Sequence, residues 1–223
     1  MVGQKRITMK KKILLYYSLL ILIFVGCDKW DETADVSHIS YLPIFEFIGD
    51  EFISIPVGTP FKDPGIVVKI NGKKVDWYYL NFDVDTSKPG IYFIIYYAEN
   101  KEGFSKTAKR IIAVTEGDVS NNDISGIYVN NMWGEVYTNI LKIKEEGLYN
   151  CDDVMGYPDF PMPGKIADLG NYKLALLPGK GFFGDYDLSY GQYTDSSLTW
   201  IIELQNEPYK GVKIPIYWFK VKK

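Results

Sequence analysis

The sequence predicts an all-β protein made of two consecutive β domains. Short runs rich in Val, Ile, Tyr and Phe recur along most of the chain, and Gly, Pro, Asn and Asp separate them, which is typical of strands joined by turns. The 223 residues include 18 Tyr and 12 Phe, which suit pleated, half-buried surfaces. A polar stretch at 117–123 separates two sets of runs. We expect a linker there, between domains at 41–116 and 124–223 that fold independently.

Residues 1–26 have the pattern of a secretory signal. Three lysines at 10–12 precede thirteen uncharged, mostly apolar residues at 13–25, and Gly26-Cys27 follows. This run is too short for a membrane-spanning helix, which needs about 20 apolar residues. The segment resembles the bacterial lipoprotein signal, with Phe24-Val25-Gly26-Cys27 as the lipobox. The resemblance implies that Cys27 is acylated, with palmitate among its chains, and becomes the first mature residue.

Loss of the signal leaves an acidic chain. It removes five of the 25 basic residues and none of the 28 acidic ones, which leaves 20 against 28, a net charge of −8. Nucleic acid is not an expected partner, because binding it requires a basic face. Electrostatic adhesion to anionic lipid is not expected either. The membrane is therefore expected as a partner through acylated Cys27.

Residues 27–40 are polar and aperiodic, and we expect a lipidated spacer there. Asp28, Asp31 and Glu32 follow the cysteine closely. They resemble the surface-export signal of Bacteroidetes-type lipoproteins, which implies an outer-membrane location on the cell-surface side.

The 41–116 segment reads as a small β-sandwich. Asn71-Gly72 lies between two apolar runs and predicts a tight hairpin, since both residues tolerate positive φ. Pro89-Gly90 predicts a turn into the run at 91–98. The segment resembles a bacterial immunoglobulin-like (Ig-like) repeat, also found in pesticidal crystal toxins. The matching residues are Gly58, Phe61, Asp63-Pro64-Gly65, Val84-Asp85-Thr86, Pro89-Gly90-Ile91-Tyr92, Tyr96, Ala98, Asn100, Gly103 and Arg110. The resemblance implies a scaffold without its own chemistry.

The 124–223 segment alternates strand patterns with long loops, and either an antiparallel β-sandwich or a barrel is expected. It resembles the C-terminal β domain of uncharacterised Bacteroidetes-type surface lipoproteins. The residues that carry this resemblance are Gly126-Ile127-Tyr128, Ile143, Gly147, Tyr149, Asp153 and Tyr157.

Catalysis is not expected. The single histidine, His38, falls in the spacer, and no nucleophile elbow, phosphate loop or zinc motif occurs. Acidic neighbours raise the pKa expected for the Cys151 thiol, and we expect it to be structural. Loop aspartates could form a glycosidase pair or hold calcium, but they are mostly turn formers. No cofactor or metal is predicted.

Aromatic residues in glycine-rich loops are the strongest binding signal. Two interpretations stay open: the rings fold over a barrel end, or they form a platform on which sugar rings stack, with carboxylates at the polar edge. The ligand-binding candidates are Trp133, Asp152, Asp153, Tyr157, Phe160, Phe183, Asp185 and Tyr186.

The function expected is therefore non-catalytic binding of an extracellular glycan by an accessory protein of a polysaccharide-uptake system, with outer-membrane transporter components as possible partners. The alternative is a structural adhesin or assembly subunit that binds another protein through the same loops. Small-molecule binding in a barrel mouth is a third interpretation.

Overall fold

The computed structural model of the chain describes residues 39–222, and all regular structure within this range is β. Cys27, His38 and nearly all of the spacer lie outside the described residues. The Ig-like part contains β1 (Ile44–Phe47), β2 (Phe52–Pro56), β3 (Ile66–Ile70), β4 (Lys73–Val75), β5 (Tyr78–Phe82), β6 (Gly90–Glu99) and β7 (Ser105–Thr115). The C-terminal part contains β8 (Gly126–Asn130), β9 (Val136–Lys144), β10 (Leu148–Cys151), β11 (Gly164–Gly170), β12 (Lys173–Leu176), β13 (Gly179–Gly181), β14 (Gly184–Tyr186), β15 (Ser189–Tyr193), β16 (Ser197–Glu203) and β17 (Lys213–Lys220).

The Ig-like part is a two-sheet sandwich. One sheet has the order β1-β3-β4 and the other β2-β7-β6-β5, in which β2 runs parallel to β7. Alternating side chains of both sheets point inward, and they meet in a core of Ile66, Val68, Ile94, Tyr96, Ala98, Ile112 and Val114. The Asn71-Gly72 hairpin is confirmed: both residues have positive φ, 47° and 74°, between β3 and β4.

An ion pair is buried at one edge of this core. The Arg110 guanidinium and the Asp63 carboxylate are in contact, with side chains 0% and 2% exposed. Arg110 also donates to the backbone oxygens of Asp50 and Ile48 at 2.9 and 2.8 Å, and the Tyr96 hydroxyl donates to Asp63 at 2.8 Å. Each buried charge is therefore paired and further hydrogen-bonded, as burial of a charge requires.

The C-terminal part is a closed eight-stranded barrel, which decides between the sandwich and the barrel left open by the sequence. Its strands β8 to β12 and β15 to β17 follow one another around the wall in chain order, and β17 closes the barrel by pairing with β8. The β13–β14 hairpin is a separate two-stranded sheet inserted between β12 and β15. Large side chains fill the interior, among them Tyr128, Tyr149, Trp200 and Trp218, as expected for a barrel of this size.

A second hydrophobic cluster lies where the two parts meet. Phe52, Ile91 and Ala113 of the sandwich share it with Leu148, Ala167, Leu169, Ala175 and Leu177 of the barrel. Ion pairs flank it, from Lys144 to Asp50 at 2.6 Å and from Lys173 to Glu116 at 2.5 Å. The hydrogen bond from Lys173 lowers the pKa of Glu116.

The segment at 117–123 is not a solvated tether. Val119 is 3% exposed, and the Lys142 ammonium donates to the backbone oxygens of Ser120 and Asn122 at 2.6 and 2.9 Å. From Tyr41 onward the chain forms one compact unit. Independent folding of the two parts stays a prediction, and the shared cluster favours coupled unfolding instead, because separating the parts would expose apolar surface.

Candidate functional site

Six aromatic rings meet at one end of the barrel, and we call them the aromatic face: Trp133, Tyr157, Phe160, Phe182, Phe183 and Tyr209. Four separate connections supply them, at 131–135, at 152–163, in the β13–β14 hairpin and at 204–212. Alternate connections of an up-and-down barrel lie at the same end, because each strand reverses the direction of the previous one. The barrel topology therefore gathers residues up to 76 positions apart.

The rings of the aromatic face contact one another mainly edge to face. Phe183 contacts four of the other rings, among them Tyr157 at a centroid distance of 5.2 Å. Trp133 joins through Tyr157, with centroids 5.4 Å apart. Phe182 packs over Phe160 with centroids 4.2 Å apart and planes inclined by 34°. Such pairs add about 0.5–1.5 kcal/mol each beyond area burial, so the arrangement is held in place without a ligand.

The face has a buried base and an exposed rim. Tyr157 and Phe183 are half-buried and pack against the barrel core. Phe182 is 68% exposed and Tyr209 47%, and Trp133 and Phe160 are also exposed. Exposed aromatic rings that adjoin one another are uncommon on a soluble surface unless they contact a ligand or partner.

Polar groups border a depression of about 370 Å³ beside Phe182 and Tyr209, with Lys180 and Asn206 among its lining residues. The backbone N–H of Asp185 donates to Asn206 Oδ1 at 2.5 Å, and the Asp185 carboxylate stays half exposed, 4.0 Å from the Lys180 ammonium. Gly184 makes this approach possible: its φ is +107°, and a Cβ there would lie 2.6 Å from Asn206 Oδ1. The depression therefore offers ring surface, the Lys180 ammonium and the Glu207 carboxylate together, with Asp185 beside it.

Five of the eight candidates from the sequence lie on or beside this face: Trp133, Tyr157, Phe160 and Phe183 are members, and Asp185 flanks it. Tyr186 does not belong to it. Its side chain is 1% exposed in the barrel core, and its hydroxyl donates to the Pro163 carbonyl at 3.2 Å. It offers no ring face to a ligand in this structure.

The two other aspartate candidates differ in exposure, since Asp153 is buried and Asp152 is exposed. Asp153 is 3% exposed, and its Oδ1 accepts the backbone N–H groups of Met155 and Met162 at 2.9 and 3.1 Å. It organises the loop from inside and does not reach a surface ligand. Asp152 is exposed, and its backbone N–H donates to the Asn139 carbonyl at 3.2 Å.

Phe182 and Tyr209 were not among the sequence candidates. Phe182 carried a usable signal, since it stands beside Phe183 between glycines. Tyr209 follows Pro208 in the β16–β17 connection, and its relevance depends on the barrel topology, which places that connection at the same end.

Cys151 is a buried thiol, as the sequence suggested. It is 2% exposed, and its Sγ lies 3.0 Å from the Asp153 carbonyl oxygen and 3.4 Å from Thr138 Oγ1. Burial raises the pKa of Cys151 to about 12, so the nucleophilic thiolate is scarce at neutral pH. Among residues 39–222, no group of three or more His, Cys, Asp or Glu side chains is arranged to hold a metal ion.

Together, the fold and the aromatic face define a class of protein: an all-β chain in which an Ig-like sandwich is joined to a closed barrel. One end of the barrel carries aromatic rings beside a depression of about 370 Å³. Residues 45–114 match the family model described as the Ig-like domain of bacterial surface proteins. The part of the chain that the structure describes contains no helix long and apolar enough to span a membrane.

One similar solved structure is that of the lipoprotein BT2262 from Bacteroides thetaiotaomicron. It is 23% identical, with a TM-score of 0.35, and the likeness covers 81% of this chain and 100% of that one. The comparison with curated proteins found no match.

Proposed function

We propose that this chain is a cell-surface accessory protein that binds an extracellular glycan, without catalysis, through the aromatic face. The surface-type Ig-like domain at 45–114 supports the location. The observation that carries the binding proposal is the depression of about 370 Å³ in which exposed Phe182 and Tyr209 adjoin Lys180 and Glu207. Asp185 lies beside it, 4.0 Å from the Lys180 ammonium.

Sugars present two kinds of surface, and this depression offers a counterpart to each. The C–H face of a pyranose ring is apolar and packs on an aromatic ring, while its hydroxyls need donors and acceptors at the edge. Here the Glu207 carboxylate, with Asp185 beside it, would accept hydrogen bonds and the Lys180 ammonium would donate them. Because neighbouring rings already hold one another, binding would order few side chains and lose little entropy.

We propose further that acylated Cys27 anchors the chain to the outer membrane, where it would serve a polysaccharide-uptake system beside transporter components. A single shallow site of this kind would bind in the range of about 10–1000 μM. Many anchored copies that contact one long polysaccharide would raise the apparent affinity through effective concentration.

A glycan array probed with the full chain tests the binding proposal. We expect signal on at least one class of glycan and loss of that signal for Phe182→Ala. Phe104→Ala is the matched control, because Phe104 is also an exposed phenylalanine but lies in the Ig-like part. Absence of signal for the wild type, or equal loss for both variants, would contradict the proposal.

One observation favours a second candidate, recognition of another protein. Three side chains at this end are exposed and apolar: Met132, Phe160 and Phe182. Their one polar atom is the Met132 sulfur, a weak acceptor. Met and aromatic residues are enriched at protein interfaces. An array without glycan signal, together with saturable capture of one envelope protein that Phe182→Ala abolishes, would support this candidate over the glycan.

A further inference from the structure

A larger cleft lies on the outer wall of the barrel, away from the aromatic face. Its volume is about 690 Å³, and its lining comes from β12, β15, β16 and β17, together with Leu169 of β11 and with Pro89 and Glu116 of the Ig-like part. This volume falls in the range of ligand sites, about 300–1,000 Å³. None of its lining residues belongs to the aromatic face.

The pairing register places a polar row across the floor of this cleft. Lys173 pairs with Gln192, Gln192 with Thr199, and Thr199 with Tyr217, so these four side chains stand side by side on the outer face. The residues between them along each strand, such as Leu174, Leu198 and Trp218, point into the core. This row therefore presents four polar groups side by side: an ammonium, an amide, a hydroxyl and a phenol.

An opening in the sheet gives the cleft its depth. β15 pairs with β16 only through Gln192↔Thr199 and Tyr193↔Leu198, whereas β16 pairs with β17 over seven residues. At Gly191 the strands approach so closely that a Cβ would lie 2.1 Å from the Thr199 carbonyl oxygen. Beyond this point the two strands share no further pairs, and the wall opens beside Tyr190 and Ile201.

Two exposed tyrosines line the cleft. Tyr190 is 55% exposed and Tyr217 48%. The Tyr190 hydroxyl accepts the Ile91 backbone N–H of the Ig-like part at 3.4 Å, which restrains its ring at the junction. At the rim, the Lys173 ammonium is 2.5 Å from a Glu116 carboxylate oxygen, so the rim charges neutralise each other.

We infer that this cleft is a second binding site, for a segment of a neutral glycan chain. The rings of Tyr190 and Tyr217 would contact the apolar faces of sugar units, while Gln192, Thr199 and the tyrosine hydroxyls bond their hydroxyl groups. The balanced Lys173–Glu116 pair gives no preference for an anionic chain. The inference does not depend on the aromatic face, because the two sites share no residue.

The test is hydrogen–deuterium exchange of the full chain with maltohexaose, cellohexaose, xylohexaose and mannohexaose, each added in turn. We expect at least one of these neutral sugars to slow exchange at 189–193 and 213–217. Tyr217→Ala and Gln192→Ala should each weaken binding of that sugar at least about fivefold in calorimetry. Phe219→Ala is the control and should change it less than about twofold, because Phe219 is equally exposed on the same strand but does not line the cleft.

The two sites give different outcomes. Protection confined to 179–186 and 204–209 would overturn the cleft and leave the aromatic face supported. Protection confined to the cleft would support the inference and leave the aromatic face to the glycan array, and protection at neither segment would overturn the cleft. Equal losses for Tyr217→Ala and Phe219→Ala, in variants whose thermal unfolding is unchanged, would also overturn the inference.

Discussion

Replacing Asp63 by Asn should destabilise the chain by about 3–5 kcal/mol, because it removes one partner of a buried ion pair. Asn keeps the size of the side chain, but it removes the charge that neutralises Arg110 and puts an amide N–H₂ where an oxygen accepts. Both partners are almost fully buried, so water cannot solvate the charge left on Arg110. The hydroxyls of Tyr96 and Tyr79, which donate to Asp63 at 2.8 and 2.9 Å, would compete for the single remaining oxygen.

An exposed ion pair in the same sandwich serves as the reference for the free-energy cost of Asp63→Asn. Lys69 and Glu46 are 2.8 Å apart, with side chains 35% and 50% exposed, and Glu46→Gln should cost at most about 1 kcal/mol. Equilibrium urea denaturation of both variants, followed by circular dichroism, gives the two free energies of unfolding. A cost for Asp63→Asn no larger than that for Glu46→Gln would refute the claim that this pair holds the sandwich together.

Four further predictions concern separate parts of the chain. Tyr186→Ala should cost about 3–5 kcal/mol of stability in chemical denaturation, because the side chain fills the barrel core. A cost below about 1 kcal/mol would contradict this burial. The Cys151 thiol, with its pKa raised to about 12 by burial, should resist a thiol reagent at pH 8 and react once urea unfolds the chain. Hydrogen bonds from Ser87 and then Lys88 lower the pKa of Asp85 to about 2. The contribution of Asp85 to stability is therefore present above its unfolded pKa of about 4 and is lost as pH falls through about 2. An NMR titration midpoint near 4 for Asp85 would contradict this. Cys27→Ser should move the protein from the membrane fraction to the soluble fraction, and a mutant that still pellets with membranes would disprove the acyl anchor.

The sequence predicted local features of the sandwich better than its interior contacts. The Asn71-Gly72 hairpin could be predicted because two adjacent residues determine it. Asp63, Tyr96 and Arg110 all stood among the residues that resemble the Ig-like repeat. Their common network could not be derived from spacing, because Asp63 and Arg110 are 47 positions apart and meet only when the two sheets pack.

The aromatic face could be predicted in part. Loop composition indicated Trp133, Tyr157, Phe160 and Phe183, but the same composition also indicated Tyr186, whose side chain is buried. The difference between Phe183 and Tyr186 arises from β14, whose pairing with β13 turns Tyr186 toward the core. The cleft escaped prediction altogether, since it depends on β15 and β16 separating after two paired positions, and a register of this kind leaves no signature in composition.

The central claim, that the aromatic face binds glycan, is tested most directly by measuring affinity and melting temperature together for Phe182→Ala. The full chain and the glycan with the strongest array signal are used for this comparison. Phe182 is 68% exposed, so its truncation should lower stability only through its ring contacts with Phe160 and Phe183, by about 1–2 kcal/mol. It should weaken binding by about 1–3 kcal/mol, roughly 5- to 150-fold. Unchanged affinity, or an affinity loss that merely follows a fall in melting temperature, would contradict the account.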